Sequence, residues 1–207
     1  LESRSAYVVL YRGSVLSGPH PPSAYSVPAP ADAVEALGGR LDILVANHAR
    51  SGDDGPLDAI DARALDAHWA VDTRSVILLI QAYARHRAAL VGDVPPGRVL
   101  MMTSGQDHGG GMPEEIAYSL QKGALASATR SLATTLAPLG VTVNTVNPGP
   151  VDTGYLTGEA YDHIAGLFPA GRWGMPDDPA RLLSWLATDE AGWITGQVID
   201  SEGGFRR

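Results

Sequence analysis

The chain has 207 residues, 44% hydrophobic and 18% charged, the composition of a folded globular protein, and its length suits a single domain over 1–207. A formal net charge of −8, with Lys and Arg scattered along the chain, argues against nucleic acid or an anionic membrane as partner and for a small molecule. With no cysteine, disulfides, thiolate catalysis and Cys-based zinc sites drop out, so any chemistry uses oxygen and nitrogen groups. No run reaches the roughly 18 apolar residues of a membrane span, the first residues lack a signal-peptide pattern, and the expected compartment is the cytoplasm.

In chain order, "SAYVVLYRG" (5–13) reads as a strand, and the Pro- and Ser-rich stretch after it shows no helical period before Ala31. The region before "LDILVA" has room for roughly one βαβ unit. "LDILVA" (41–46), "RVLMMTS" (98–104), "VTVNTVNP" (141–148) and "GQVIDSEGG" (196–204) are near-continuous apolar runs, as expected of strands covered on both faces. Helical patterns occupy 62–90, 114–137 and 177–188. Strand alternating with helix predicts a parallel sheet with right-handed crossovers. The helix over 114–137 carries an apolar stripe at Leu125, Ala128, Leu132 and Leu136 and stops at Pro138 and Gly140.

"YSLQK" puts Tyr118 and Lys122 one turn apart on one helix face. Taken alone the pair reads more readily as a solvated surface than as chemistry. An ammonium beside a phenol favours the phenolate, which suits a tyrosine to proton transfer near neutral pH. Asn47, Ser104 and Pro148 fall at the carboxyl ends of predicted strands, where open α/β sheets bind their ligands. The histidines at 20, 48, 68, 86, 108 and 163 share no metal-ligand spacing. They read as mostly solvated, with His108 the one placed to meet a substrate, and no metal site is expected.

From residue 29 onward the chain resembles the short-chain dehydrogenase/reductases, in a form similar to 3-oxoacyl reductases. "ILVANHA" resembles the family's Asn-Asn-Ala-Gly segment after the fourth strand, with Asn47 on the second Asn and Ala49 on the Gly. "VLMMTSG" resembles the strand ending in the catalytic serine, "YSLQK" the Tyr-x-x-x-Lys motif, "VNTVNPGPVDTG" the Pro-Gly motif and "GQVIDSEGGF" the last strand. The fold this implies is α/β: a Rossmann-like doubly wound parallel sheet in three α/β/α layers, its N-terminal βαβ region incomplete.

The resemblance implies interconversion of a carbonyl and a secondary alcohol with NADP or NAD. Tyr118 would be the acid/base, Lys122 its modulator and a ribose ligand, and Ser104 the donor to the substrate oxygen. Asn47, Ala49, Pro148, Gly149, Val151 and Thr153 would join Tyr118 and Lys122 in holding the cofactor. The family's fourth catalytic residue, an Asn, is matched by Asp72, which would bring a charge near Lys122. The acidic residue that faces adenine is matched by Ser26, and Gly13 and Gly18 do not reproduce the Thr-Gly-x-x-x-Gly-x-Gly loop.

That missing loop keeps two other readings open: a binding or regulatory protein on this scaffold without the dinucleotide, and a cofactor-independent enzyme, which in this family has Arg where Lys122 stands. If 5–13 is the family's second strand, Arg12 favours the 2′-phosphate and hence NADP. The segment 154–176, with Tyr155, Tyr161, Leu167, Phe168 and Trp173, is expected to cover the substrate. It suits a moderately apolar ketone such as a 3-oxoacyl thioester. By resemblance the chain forms a homodimer or homotetramer.

Overall fold

Residues 6–9, 34–35, 38–50, 52–108, 111–154 and 156–206 are described by the computed structural model. Strand β1 is Ala6–Val9, β2 Ile43–Ala46, β3 Gly97–Met102, β4 Val141–Asn147 and β5 Val198–Asp200. They lie in the order β1-β2-β3-β4-β5 and every pairing is parallel. Between β2 and β3 runs a long helical stretch: α1 (Ala62–His68), a π-helical turn (Trp69–Arg74) and α2 (Ser75–Ala89). Helix α3 (Ile116–Leu136) joins β3 to β4, and α4 (Gly158–Gly166) and α5 (Asp177–Leu186) lie between β4 and β5.

The near-continuous apolar runs are explained by two cores, one on each face of the sheet. Alternate residues of one run serve different cores, as the two-residue period of a strand requires. Leu44, Ala46, Val99, Met101 and Val143 pack with α2 and α3 through Val76, Ile80, Tyr83, Leu125 and Leu136. Ile43, Val45, Leu100, Met102 and Val146 pack with α5 through Leu186, joined by Ala191. This is the expected three-layer, Rossmann-like arrangement.

Three details differ from the sequence reading. The buried stripe of α3 includes Thr129 and Ala133, while Ala128 and Leu132 are only half-buried. The stripe is rotated because the Thr129 hydroxyl is satisfied inside the protein by Leu125 O and the Thr145 hydroxyl, so a polar residue can occupy the core face. Strand β5, which among the described residues pairs only with β4, is exposed at Val198 and Asp200 and not covered on both faces.

The third concerns β1. It pairs with Ile43–Ala46, and in a doubly wound sheet the strand beside the fourth is the first. Arg12 thus follows a strand in the position of the first, not the second, and does not bear on NADP. Arg12, Gly13, Gly18, His20, Ser26 and Tyr155 lie outside the described residues.

Helix α3 gives way to a 3-10 turn (Ala137–Leu139), and Gly140 then takes the left-handed conformation at φ 66°, closing the helix where the sequence places its stop. Among the described residues no helix is long and apolar enough to cross a membrane.

Candidate active site

Helix α3 starts beneath the carboxyl edge of the sheet, and its first turn is held from outside. Both carboxylate oxygens of Asp54 accept backbone N–H bonds there, from Ala117 at 2.9 Å and from Tyr118 at 2.8 Å. Glu115, at the cap position itself, makes no side-chain cap bond. Asp54 therefore caps the helix from a distant loop. Burial pushes its carboxyl up, but the N–H donors of Tyr118, Ala117 and Gly55, with the His68 charge, outweigh that and hold it below the usual range. This positioning residue was missed in the sequence because its partner helix begins some sixty residues further along.

Lys122 is 3% exposed. Its ammonium donates to Met102 O, the last residue of β3, at 3.0 Å and lies 5.5 Å from the centroid of the half-buried Tyr118 ring. Burial pushes the ammonium down to about 8, and the Asp72 carboxylate pulls it partly back. An ammonium has three donors, and one of them is on Met102 O.

Thr103 Oγ1 donates to Lys122 O at 2.8 Å, so that hydroxyl is engaged in holding α3 against the sheet. Ser104, the next residue, is half-buried on the same edge, where the chain enters a 3-10 turn (Gly105–His108). The side chain of His108 is outside the described residues.

Asp72 is fully buried, within the π-helical turn. Its Oδ1 accepts the backbone N–H of Arg50, and its Oδ2 lies 2.9 Å from Nδ1 of His68. π-turns inside helices often mark functional positions. The view of the histidines as solvated is corrected here: His48 and His68 are both buried. Nε2 of His48 meets Val71 O and the Ser75 hydroxyl. Burial first, then the Lys122 charge, lowers the His48 pKa, against the opposing pull of Val71 O and Asp72. Nε2 of His86 accepts the N–H of Leu41. Each meets a backbone group from elsewhere in the chain, Val71 O for His48, Gly52 O for His68 and Leu41 N–H for His86, which periodicity cannot reveal.

Asn47, Ala49 and Thr153 are solvent-exposed, while Pro148, Gly149 and Val151 are half-buried. Gly149 has φ +62°, and a Cβ there would come within 2.4 Å of Glu202 Cβ, so only glycine fits. Asn147 sets this turn: Oδ1 accepts Gly149 N, and Nδ2 donates to Asp200 and Glu202. Val151 bridges to Gly174.

In the segment 154–176, Trp173 and Phe168 are buried anchors and not an open lining. Trp173 stacks on Tyr161 at 5.0 Å and donates to its carbonyl, and Phe168 packs against Phe205 at 4.9 Å. Helix α4 has no buried residue and rides on these anchors.

A family model described as enoyl-(acyl carrier protein) reductase matches residues 23–206. Uncharacterized oxidoreductase YjdA of Bacillus subtilis (strain 168) is 49% identical over 171 residues, 82% of this chain and 66% of that protein. The chain belongs to the short-chain dehydrogenase/reductase family. Cis-4-hydroxycyclohexanecarboxylate dehydrogenase of Sinomonas cyclohexanicum is 32% identical over 183 residues, 87% of this chain and 72% of that one. The solved structure of a Serratia marcescens short-chain dehydrogenase/reductase mutant superposes with a TM-score of 0.75 at 35% identity, covering 85% of this chain and 69% of that one. The chain thus spans about two thirds of the length of these family members. Members of this family generally use NAD(P) and act on small molecules.

Proposed function

We propose that this family member interconverts a carbonyl and a secondary alcohol, with Tyr118 as general acid/base, Lys122 as its electrostatic partner and Ser104 as hydrogen-bond donor to the substrate oxygen. The observation that carries the reading is the buried ammonium of Lys122, anchored on Met102 O at the carboxyl edge and 5.5 Å from the Tyr118 ring. Keeping a lysine 3% exposed is costly, and sites under such tension are where function concentrates.

NADP or NAD, when bound, supplies or accepts the hydride. Lys122 would hold the ribose hydroxyls with its remaining donors. Asn47, Ala49, Pro148, Gly149, Val151 and Thr153 would border the nicotinamide half. In reduction Tyr118 gives its phenolic proton to the developing alkoxide. Ser104 stabilises that charge as it forms, while Lys122 stabilises the phenolate left behind. Asp72 would stand in the place of the family's fourth catalytic residue, within the buried π-helical turn. The segment 154–176 would cover a moderately apolar ketone, a 3-oxoacyl thioester among the candidates, in a homodimer or homotetramer.

The test is titration of the protein with NADPH and NADH, followed by turnover of a carbonyl panel by the wild type and Tyr118→Phe. Undiminished turnover in Tyr118→Phe sinks the mechanism. The absence of a Thr-Gly-x-x-x-Gly-x-Gly string from the chain favours a second reading, a binding protein on the same scaffold. Failure of both nucleotides to bind selects it.

A further inference from the structure

Asp72 and His68 lie one turn apart on the α1–π stretch, and both are 0% exposed. Nε2 of His68 is 3.1 Å from Gly52 O. A carbonyl only accepts, so Nε2 carries a proton. Nδ1 then faces Asp72 Oδ2 at 2.9 Å, and a hydrogen bond there needs one further proton, on the nitrogen or on the oxygen.

An imidazolium with a carboxylate and an imidazole with a carboxylic acid have the same sum of charges, zero. Both forms leave Asp72 Oδ1 free to accept the Arg50 N–H, as it does. A lone carboxylate at this place would be buried beside the low-dielectric cluster with an unbalanced charge.

We propose that His68 is a positioning residue of the candidate site. With Asp72 it forms a one-proton, net-neutral dyad that replaces the neutral amide the family carries at this position and keeps a bare carboxylate away from Lys122 and Tyr118. This rests on the oxidoreductase reading above for its consequence, but not for the dyad itself. The charged and titratable groups around the pair include Asp54, whose carboxylate senses His68, Arg50, whose backbone N–H is accepted by Asp72 and whose guanidinium pairs with Asp53, Lys122 across on α3 with Tyr118 beside it, and His48, which senses both Lys122 and Asp72. None of these is hydrogen-bonded to the shared proton. Its place is set by Gly52 O on one side and Asp72 on the other.

His68→Leu exposes the cluster to a full negative charge. At an effective dielectric near 20, such a charge shifts the titration of nearby groups by about one pH unit or more. In His68→Leu the basic limb of the kcat/KM profile for carbonyl reduction is expected to move to higher pH by about one unit. In His68→Leu/Asp72→Asn, neutral again, it is expected to return. A His68→Leu profile that keeps the wild-type limb, or a double variant that stays shifted, overturns the proposal.

A direct measurement needs no variant. Nitrogen NMR of 15N-histidine-labelled wild type should show Nε2 of His68 protonated at neutral pH and an Nδ1–H–Oδ2 proton far downfield, whereas a neutral Nδ1–H tautomer with bare Nε2 overturns the dyad. If the dyad appears by NMR while no carbonyl substrate turns over, the oxidoreductase reading fails and the dyad stands.

Discussion

The two edges of the sheet both bury charge, and they do so in opposite ways. At the amino edge Asp42 is fully buried just before β2, and its two carboxylate oxygens are taken by Arg40 at 2.9 Å and Arg87 at 3.2 Å. Tyr83 donates to Asp42 O at 2.7 Å, and its phenol is pushed up to about 12, chiefly by burial. That tyrosine stays neutral and structural. At the carboxyl edge Lys122 has donors to spare, and its tyrosine is only half-buried. A buried charge closed on protein partners holds a fold together, whereas one left partly open is available to a ligand.

The sharpest way to break this contrast is to replace a cation by methionine at each edge. Lys122→Met should lower turnover by at least about a hundredfold, the scale of a lost acid–base partner. It should also be no less stable than wild type, and up to about 3 kcal/mol more stable at neutral pH, because the fall from 10.5 to about 8 is a folding cost of the charged form. Measuring kcat beside a urea unfolding midpoint checks both halves.

The sign follows from linkage. Between about 8 and 10.5 the unfolded chain binds more protons at this lysine than the folded one, so its contribution to stability rises with pH across that window and is flat in Lys122→Met.

Arg87→Met should do the reverse, costing about 3 kcal/mol or more by taking the buried Arg87 guanidinium away from the fully buried Asp42 carboxylate. Nucleotide binding is expected to persist at temperatures where the variant remains folded. If Arg87→Met melts like wild type, the amino edge is not the structural one.

Gly149→Ala comes next, at about 2–4 kcal/mol, from the left-handed backbone and the 2.4 Å clash with Glu202 Cβ. A calorimetric scan reads it, together with weakened nucleotide binding.

The smallest effect is Asp54→Ala, which removes the cap of α3 and should cost about 1 kcal/mol, or about 2–4 °C in melting temperature. The carboxylate is held below its usual range, so the wild-type advantage over this variant is full above the unfolded pKa. It vanishes as acid protonates Asp54, and a melting series down to pH 3 follows the loss.

Much of the scaffold was legible because it depends on local pattern. The apolar runs and helical periods place β2, β3, β4 and α3 within a residue or two, since burial on both faces writes itself into consecutive residues. Tyr118 and Lys122 were legible as a pair because a helix fixes i and i+4 on one face. The His68–Asp72 pair has that same spacing and was passed over. A histidine on a helix is as readily solvated as buried, and only Gly52 O on the far side makes this one a member of the site.

By itself the sequence determined the order of the strands and of the helices other than α4, the carboxyl-edge positions of Asn47, Ser104 and Pro148, and the adjacency of Tyr118 and Lys122, because each of these is local along the chain. The tertiary structure alone decided which charges are closed and which are open. Asp54 capping α3, Met102 O anchoring Lys122 and His68 neutralising Asp72 join a loop to a helix, a strand to a helix and a helix to a loop. Their energies depend on burial and on partners distant in sequence, and a one-dimensional pattern carries neither.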